Sequence, residues 1–232
     1  MRKLVGTDTY CGAAILTGRR KRPCIAVTTE PRPAARPTRL PREERRRQLL
    51  QAAHEVFVAN GYHAAAMDEI ADAAHVSKPV LYQHFPGKRE LYLALLDHHL
   101  ESLNAMLMAA LNSTTDNKLR VHATIRAYYQ FIAQDSQAHR LVFESDLNND
   151  PDVSSRLEDF NARLASAIAD VIAEDTKLSE VEATLLGRAL AGMAQISARH
   201  WLRAGGDLDQ DAASELIYRL AWRGISRFPK EP

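Results

Sequence analysis

The residues whose types and spacing could do chemistry lie mainly between Ser77 and Lys88. Ser77, Lys78, Pro79, Val80, Tyr82 and His84 share one short stretch, Lys88 follows it, and Arg46 stands some thirty residues upstream. A hydroxyl, an ammonium, a phenol and an imidazole on one small surface are hydrogen-bond donors suited to phosphate oxygens, and a proline and a valine beside them suit apolar contact with base edges. That is recognition chemistry rather than bond-making chemistry. No glutamate is followed three residues later by histidine, the pattern a di-iron helical bundle needs. A nucleophile elbow, a phosphate-binding glycine loop and a His-Glu-x-x-His zinc motif are equally missing from the sequence. His98 and His99 are adjacent rather than one turn apart, so they point two ways and read as surface. No enzymatic activity, cofactor or metal is expected.

Short helices are needed to present those side chains. Pro41 suits a first helical turn, and Leu49, Leu50, Ala53, Val56 and Phe57 recur at helical spacing until Gly61 stops the helix. A second helix is predicted from about Met67 to Ala74. A third is predicted from Lys78 to about His84, with Ser77 as N-cap and Pro79 in its first turn, where a missing N–H costs little. Ile70, Ala71 and Ala74 face inward, Val76 plugs the turn, and Leu81 and Phe85 anchor the third helix. The result is a tri-helical helix-turn-helix over residues 41–87, whose outer face carries Ser77 to His84.

Beyond Pro86-Gly87 the chain reads as further helices. Leu96, Leu100, Leu103, Leu107 and Leu111 line one face, and Val121, Ile125, Tyr128, Tyr129 and Ile132 mark the next helix. Asp150-Pro151 opens another as N-cap and first-turn proline, with Val153, Leu157, Phe160, Leu164, Ile168 and Val171 as its stripe. Ser179 and Glu182 form a capping box for a helix ending at Gly205-Gly206, and a last helix runs from about Asp209 to Phe228. No segment alternates like a strand, so the fold class is all-α, with residues 88–232 as a second helical domain.

Residues 1–40 carry neither period and contain Pro23, Pro31, Pro33 and Pro37, so they read as a disordered basic arm. Nothing in the segment to about Ala26 pairs with the rest, and an upstream choice of start would account for it. Through Arg47 there are 13 basic and 4 acidic residues, a balance of +9, against 17 basic and 25 acidic afterwards, a balance of −8. A basic front on an acidic body suits one end meeting a polyanion, although charge alone fits a merely solvated tail equally well. The apolar run after Met1-Arg2-Lys3 is broken by Thr7, Asp8 and Thr9, which a secretory signal does not tolerate. No stretch reaches the roughly 20 apolar residues of a membrane span. Cys11 and Cys24 have no partners at metal or disulfide-framework spacing. The cytosol is the expected compartment.

The helix-turn-helix stretch resembles the TetR family of transcriptional regulators. The matching string is Arg46, Leu49-Leu50, Ala52-Ala53, Phe57, Gly61-Tyr62, Ile70-Ala71, Ala74, Val76-Ser77, Leu81-Tyr82, His84-Phe85 and Lys88, about forty residues in order. The resemblance implies that Tyr82, His84 and Lys88 contact phosphate on double-stranded DNA and that Lys78, Pro79 and Val80 face base edges. Arg46 and Ser77 complete the implied DNA-binding set. Three positions depart from the family pattern. Ala65 and Ala66 stand where hydroxyl residues usually open the second helix, His75 where the turn usually has glycine, and Val80 where threonine is usual. They put the operator sequence in doubt and leave the binding mode intact.

The resemblance further implies that the C-terminal helices enclose a small-molecule site and that the last two pair across a two-fold axis into a homodimer. Gly187, Ala191, Gly192 and Ala194 would permit close helix approach. The apolar stripes place Leu96, Leu100, Leu103, Met106, Leu107, Ile125, Tyr128, Tyr129, Phe131, Phe143, Phe160, Leu164, Ile168 and Met193 around that site, a lining suited to a hydrocarbon. The segment Phe143-Glu144-Ser145-Asp146-Leu147 with Asn149-Asp150-Pro151 looks like actinobacterial lipid-metabolism members of the family. This implies a long-chain acyl-CoA effector, control of fatty-acid or lipid synthesis genes, and activation where most of the family represses. Two other readings stand beside it: a repressor of efflux or detoxification genes responding to another apolar ligand, and a helical lipid-binding protein that never touches DNA.

Overall fold

A computed structural model of the chain describes residues 40–134, 147, 150–205 and 208–225. Among these residues all regular structure is helical, in eight helices. They are α1 (Arg42–Ala64), α2 (Met67–Ala73), α3 (Lys78–His84), α4 (Lys88–Leu111), α5 (Asn117–Gln134), α6 (Pro151–Asp175), α7 (Glu180–Arg203) and α8 (Gln210–Ile225). No helix among them is long and apolar enough to cross a membrane, and among the described residues no cluster of three or more His, Cys, Asp or Glu side chains could hold a metal.

Local signals in the sequence set most boundaries. Gly61 takes φ +74°, a left-handed conformation glycine adopts at little cost, and breaks α1 into a main helix and a short final turn reaching Ala64. The helix therefore kinks at Gly61 rather than stopping there. Asp150 caps α6 by accepting the backbone N–H groups of Asp152 and Val153. Ser179 and Glu182 form the reciprocal box on α7: Ser179 Oγ accepts from Glu182 N, and Glu182 Oε2 accepts from Ser179 N at 2.8 Å. The Ser179 hydroxyl also donates to Glu182 Oε2 at 2.7 Å, and this bond, followed by that from Ser179 N, holds the Glu182 carboxyl below its usual pKa. Asp116 and Asp209 cap α5 and α8, accepting from Leu119 N and Ala212 N. The second helix, predicted to end at about Ala74, closes at Ala73, and the predicted end at Phe228 lies outside the described residues.

Helices α1 to α3 pack as one unit around Leu49, Ala53, Phe57, Ile70, Ala71, Leu81 and Phe85. Helix α4 touches α1 at its beginning and α5 and α6 further on, so it carries the core from the first unit into the second. A trio of rings cements the first junction: Tyr92 of α4 meets Phe57 at 5.6 Å and Tyr62 at 5.3 Å, both edge-on. The leucine stripe of α4 is buried from Leu91 to Leu111.

Helices α6 and α7 form the most extensive helix pair. Small residues make it: Ala165 and Ala169 of α6 meet Gly187 of α7, and Ala169 packs in one cluster with Ala183, all buried. A Cβ added at Gly187 would lie 2.3 Å from the Ala165 carbonyl oxygen, so the two backbones are in direct contact there. The close approach expected at Gly187 is therefore to α6, whereas Gly192 faces open space. Gly187→Ala should lower the free energy of unfolding by about 1–3 kcal/mol, the usual cost of overpacking. Chemical denaturation at fixed protein concentration measures it, and an unchanged midpoint would contradict the contact.

Candidate nucleic-acid interface and effector cavity

Helix α3 is oriented by what it buries. Leu81 and Phe85 are inside, at 0% and 2% exposure, which turns Ser77, Lys78, Pro79 and Tyr82 outward and leaves Val80 and His84 half-buried. Ser77 occupies the N-cap position of α3, but its side chain makes no capping bond and stays free for an outside partner. Gln83 is exposed as well and, with Pro79, lies opposite buried Leu81 on the helical wheel. Gln83 is not among the residues expected from sequence to face DNA, and its spacing of two from Leu81 is the signal that marks it. The preceding turn is held by His75 at φ +53°, with Val76 N donating to Ala71 O and His75 N to Asp72 O. Histidine thus supplies the left-handed residue of this turn where glycine would be less strained. At the start of α2, Glu69 Oε2 accepts from Ala66 N at 3.0 Å, but the alanine side chain returns nothing to the helix.

Charge gathers around this surface. Lys78 Nζ rests 2.6 Å from Asp68 Oδ2, both side chains more than half exposed, an arrangement that a phosphate or a base edge can displace readily. The Arg46 guanidinium lies 4.5 Å over the Phe85 ring, which brings it to the end of α3. Burial, and then the charges of Arg42, Arg46 and Arg45, hold His84 below its ordinary pKa. Gln48 pins α1 to the turn through Nε2 to Ala74 O at 2.8 Å.

Lys88 is placed differently from the expected phosphate contact. Its ammonium donates to the carbonyls of Tyr62, His63 and Ala65 at 2.9, 3.1 and 3.0 Å and sits over the Tyr62 ring. Three donors meet three acceptors, so none is left over for DNA. The residue closes the carbonyl end of α1 instead. Its neighbour Arg89 reaches the other way, donating to both Asp150 oxygens at 3.1 and 2.9 Å and to Asp152 at 2.6 Å. The same Asp150 caps α6, and the Arg89 guanidinium holds its carboxyl below the usual range. Asp97 and Arg156 add a second α4 to α6 pair at 2.8 Å. Of the two histidines read as surface, His98 is exposed, but His99 Nε2 lies 3.2 Å from His54 Nδ1 between α4 and α1.

An apolar cavity of about 50 Å³ lies among α4 to α7. Leu107, Ile125, Tyr128, Leu164 and Ile168 line it as expected, joined by Leu111, Val121, Thr124, Leu190, Ala191 and Ala194. The remaining expected positions do not. Leu96, Leu100, Leu103, Phe131 and Phe160 are packed core, and Met193 is half-buried against that core. Tyr129 donates to Ser197 Oγ at 2.9 Å, Met106 borders a separate surface groove, and Phe143 lies outside the described residues. Periodicity identifies the buried face of a helix, and that face is longer than one cavity.

A basic, outward-facing third helix on a tri-helical unit, carried by a helical body with an apolar cavity, defines a helix-turn-helix transcription regulator. Residues 49–95 match the family model described as bacterial regulatory proteins, tetR family. The transcriptional activator FasR of Mycolicibacterium smegmatis is 46% identical over 203 residues, covering 86% of this chain and 93% of FasR. The chain therefore belongs to the TetR family, and it is a FasR-like transcriptional regulator rather than an enzyme. The repressor KstR2 of Mycobacterium tuberculosis is 26% identical over 190 residues, covering 79% of this chain and 94% of its own. Among solved structures, a TetR-like regulator from Rhodococcus sp. RHA1 superposes with a TM-score of 0.64 at 28% identity, over 82% of this chain and all of that one. FadR of Bacillus subtilis in complex with stearoyl-CoA shares the fold, with a TM-score of 0.62 at 19% identity, over 75% of this chain and 96% of that one.

His84 gives a pH test. In the free protein its depressed pKa keeps it neutral near pH 7. Phosphate beside it would offset the arginine charges and favour the imidazolium, so binding would take up a proton. DNA affinity should rise as pH falls from about 8 to about 6 at constant ionic strength, and His84→Gln should flatten that rise. An identical pH profile in the variant would remove His84 from the interface. The Arg89 clasp gives a second test: Arg89→Ala should leave ligand-free DNA affinity within a few-fold. It should also shrink the change in DNA affinity that a cavity ligand produces, both read by fluorescence anisotropy. An undiminished ligand effect would exclude the clasp from coupling.

Proposed function

We propose that the chain binds a near-palindromic operator as a homodimer and that a long-chain acyl-CoA in the cavity alters this binding, controlling lipid-synthesis genes. The cavity carries this reading: its walls are mostly hydrocarbon, no charged side chain lines it, and it lies against α4, whose first turn holds the DNA-binding unit. At about 50 Å³ it is far below the roughly 300–1,000 Å³ of a ligand-filled pocket. An acyl chain must part its helices to enter, and the ligand's preference for the parted state is the free energy that shifts DNA binding. A fold shared with FadR of Bacillus subtilis, which is in complex with stearoyl-CoA, supports the same class of effector.

The dimer rests on large apolar side chains turned outward on the last two helices. Val181, Leu185 and Ile196 of α7 are 79%, 69% and 70% exposed, and Leu216 and Leu220 of α8 are 57% and 62% exposed. Gly192 and Gly224 leave open space beside them, which favours close approach of another helix pair. A two-fold pairing there would set two copies of α3 about 34–36 Å apart, one turn of DNA.

Fluorescence anisotropy on duplex from the chain's own locus and nearby lipid genes, with and without palmitoyl-CoA, tests this. Saturable binding of two chains per site, altered by low-micromolar palmitoyl-CoA and falling steeply with salt, is expected. Binding indifferent to palmitoyl-CoA would retain the regulator and discard this effector. Binding of one chain per site would discard the dimer.

A further inference from the structure

The lining of the cavity contains one feature that hydrocarbon binding does not need. Thr124 of α5 lines it, and its hydroxyl oxygen is shut off from solvent with no hydrogen-bond partner. Val121, one turn earlier on the same helix, lines the same cavity without a hydroxyl. Valine at position 124 would pack with nearly the same shape and leave no polar atom stranded. An orphaned hydroxyl in an apolar wall is a net cost to the unliganded fold, and in native proteins such groups are few. Tyr128, one turn further along, is the other hydroxyl-bearing residue of the lining, and burial holds its phenol firmly in the neutral, proton-bearing form. Arg199, whose charge is felt at that phenol, does not line the cavity.

We infer that Thr124 donates a hydrogen bond to the carbonyl oxygen of a neutral acyl thioester, fixing how far the acyl chain enters. This rests on the acyl-CoA reading above and specifies the contact within it. An acyl thioester bears a single oxygen bonded to the carbon that ends its hydrocarbon chain. That oxygen accepts and does not donate, which matches a hydroxyl with a free proton. The amides and phosphates beyond the sulfur would find too few partners in so apolar a slot and stay outside. A free fatty-acid carboxylate would bring a full charge against a lining without a cation, so the site discriminates against it.

Titration calorimetry on the full chain, below micellar concentrations, compares palmitoyl-CoA with S-hexadecyl-CoA, a thioether that lacks only the carbonyl oxygen, and with palmitate. The wild-type chain should bind the thioester about tenfold more tightly than the thioether, the effect of one hydrogen bond that satisfies a stranded group. Thr124→Val should bind the two alike and unfold at or above the wild-type temperature. Thr124→Ser should restore the preference. Equal affinity of the wild-type chain for thioester and thioether, or a preference that persists in Thr124→Val, would overturn the assignment while leaving the acyl-CoA reading intact. Failure of both CoA compounds to bind the wild-type chain would overturn that reading and this contact together.

Discussion

Two adjacent side chains at the start of α4 hold the molecule's working parts in register. The Lys88 ammonium collects the carbonyls left open at the end of α1, and the Arg89 guanidinium grips the carboxylates at the start of α6. Helix ends are the places where backbone groups lack partners, so a cation at a carbonyl end satisfies a standing need. Because the two residues are consecutive, the helix-turn-helix unit and the helices around the cavity meet within a single turn. The rings of Phe57, Tyr62 and Tyr92 beside that turn exclude slack on the DNA side.

The polar economy of the fold follows the same logic elsewhere. Asp150 both caps α6 and receives Arg89, so the beginning of that helix and the joint are fixed by the same carboxylate. The proposed DNA-facing surface differs in kind. Its cations are held loosely, Lys78 by an exposed carboxylate and Arg46 by a ring face, and both arrangements are easily exchanged for phosphate. Rigid contacts sit where geometry must persist and exchangeable ones where a partner is to be met.

The helix-turn-helix was legible in the sequence because its signals are local. Gly61, the inward Ile70 and Ala71, and the Leu81 and Phe85 anchors all act within a turn or two of themselves. The hold of Lys88 on the end of α1 was not legible because its acceptors are 23 to 26 residues away, and a basic residue beside a DNA-reading helix suggests phosphate first. Arg89 and Asp150 are 61 residues apart, a pairing that helical period does not encode. The cavity was half-legible for a different reason. The stripes correctly assigned Leu164 and Ile168 to a buried face, as they did Phe160, yet only packing decides which layer of that face is left unfilled. Thr124 escaped notice because a lone threonine in an apolar stripe is unremarkable until its surroundings are known.

The backbone contact between Gly187 and Ala165 has a mechanical consequence. Two helices touching main chain to main chain leave no compliant side chains between them to compress or slide, so α6 and α7 behave as the fixed jaw of a vise. The opposite wall of the cavity belongs to α4 and α5, held by longer and more deformable side chains such as Leu107, Leu111 and Ile125. Anything that wedges the jaws apart therefore displaces the α4 side, and α4 is the helix on which the recognition unit is mounted.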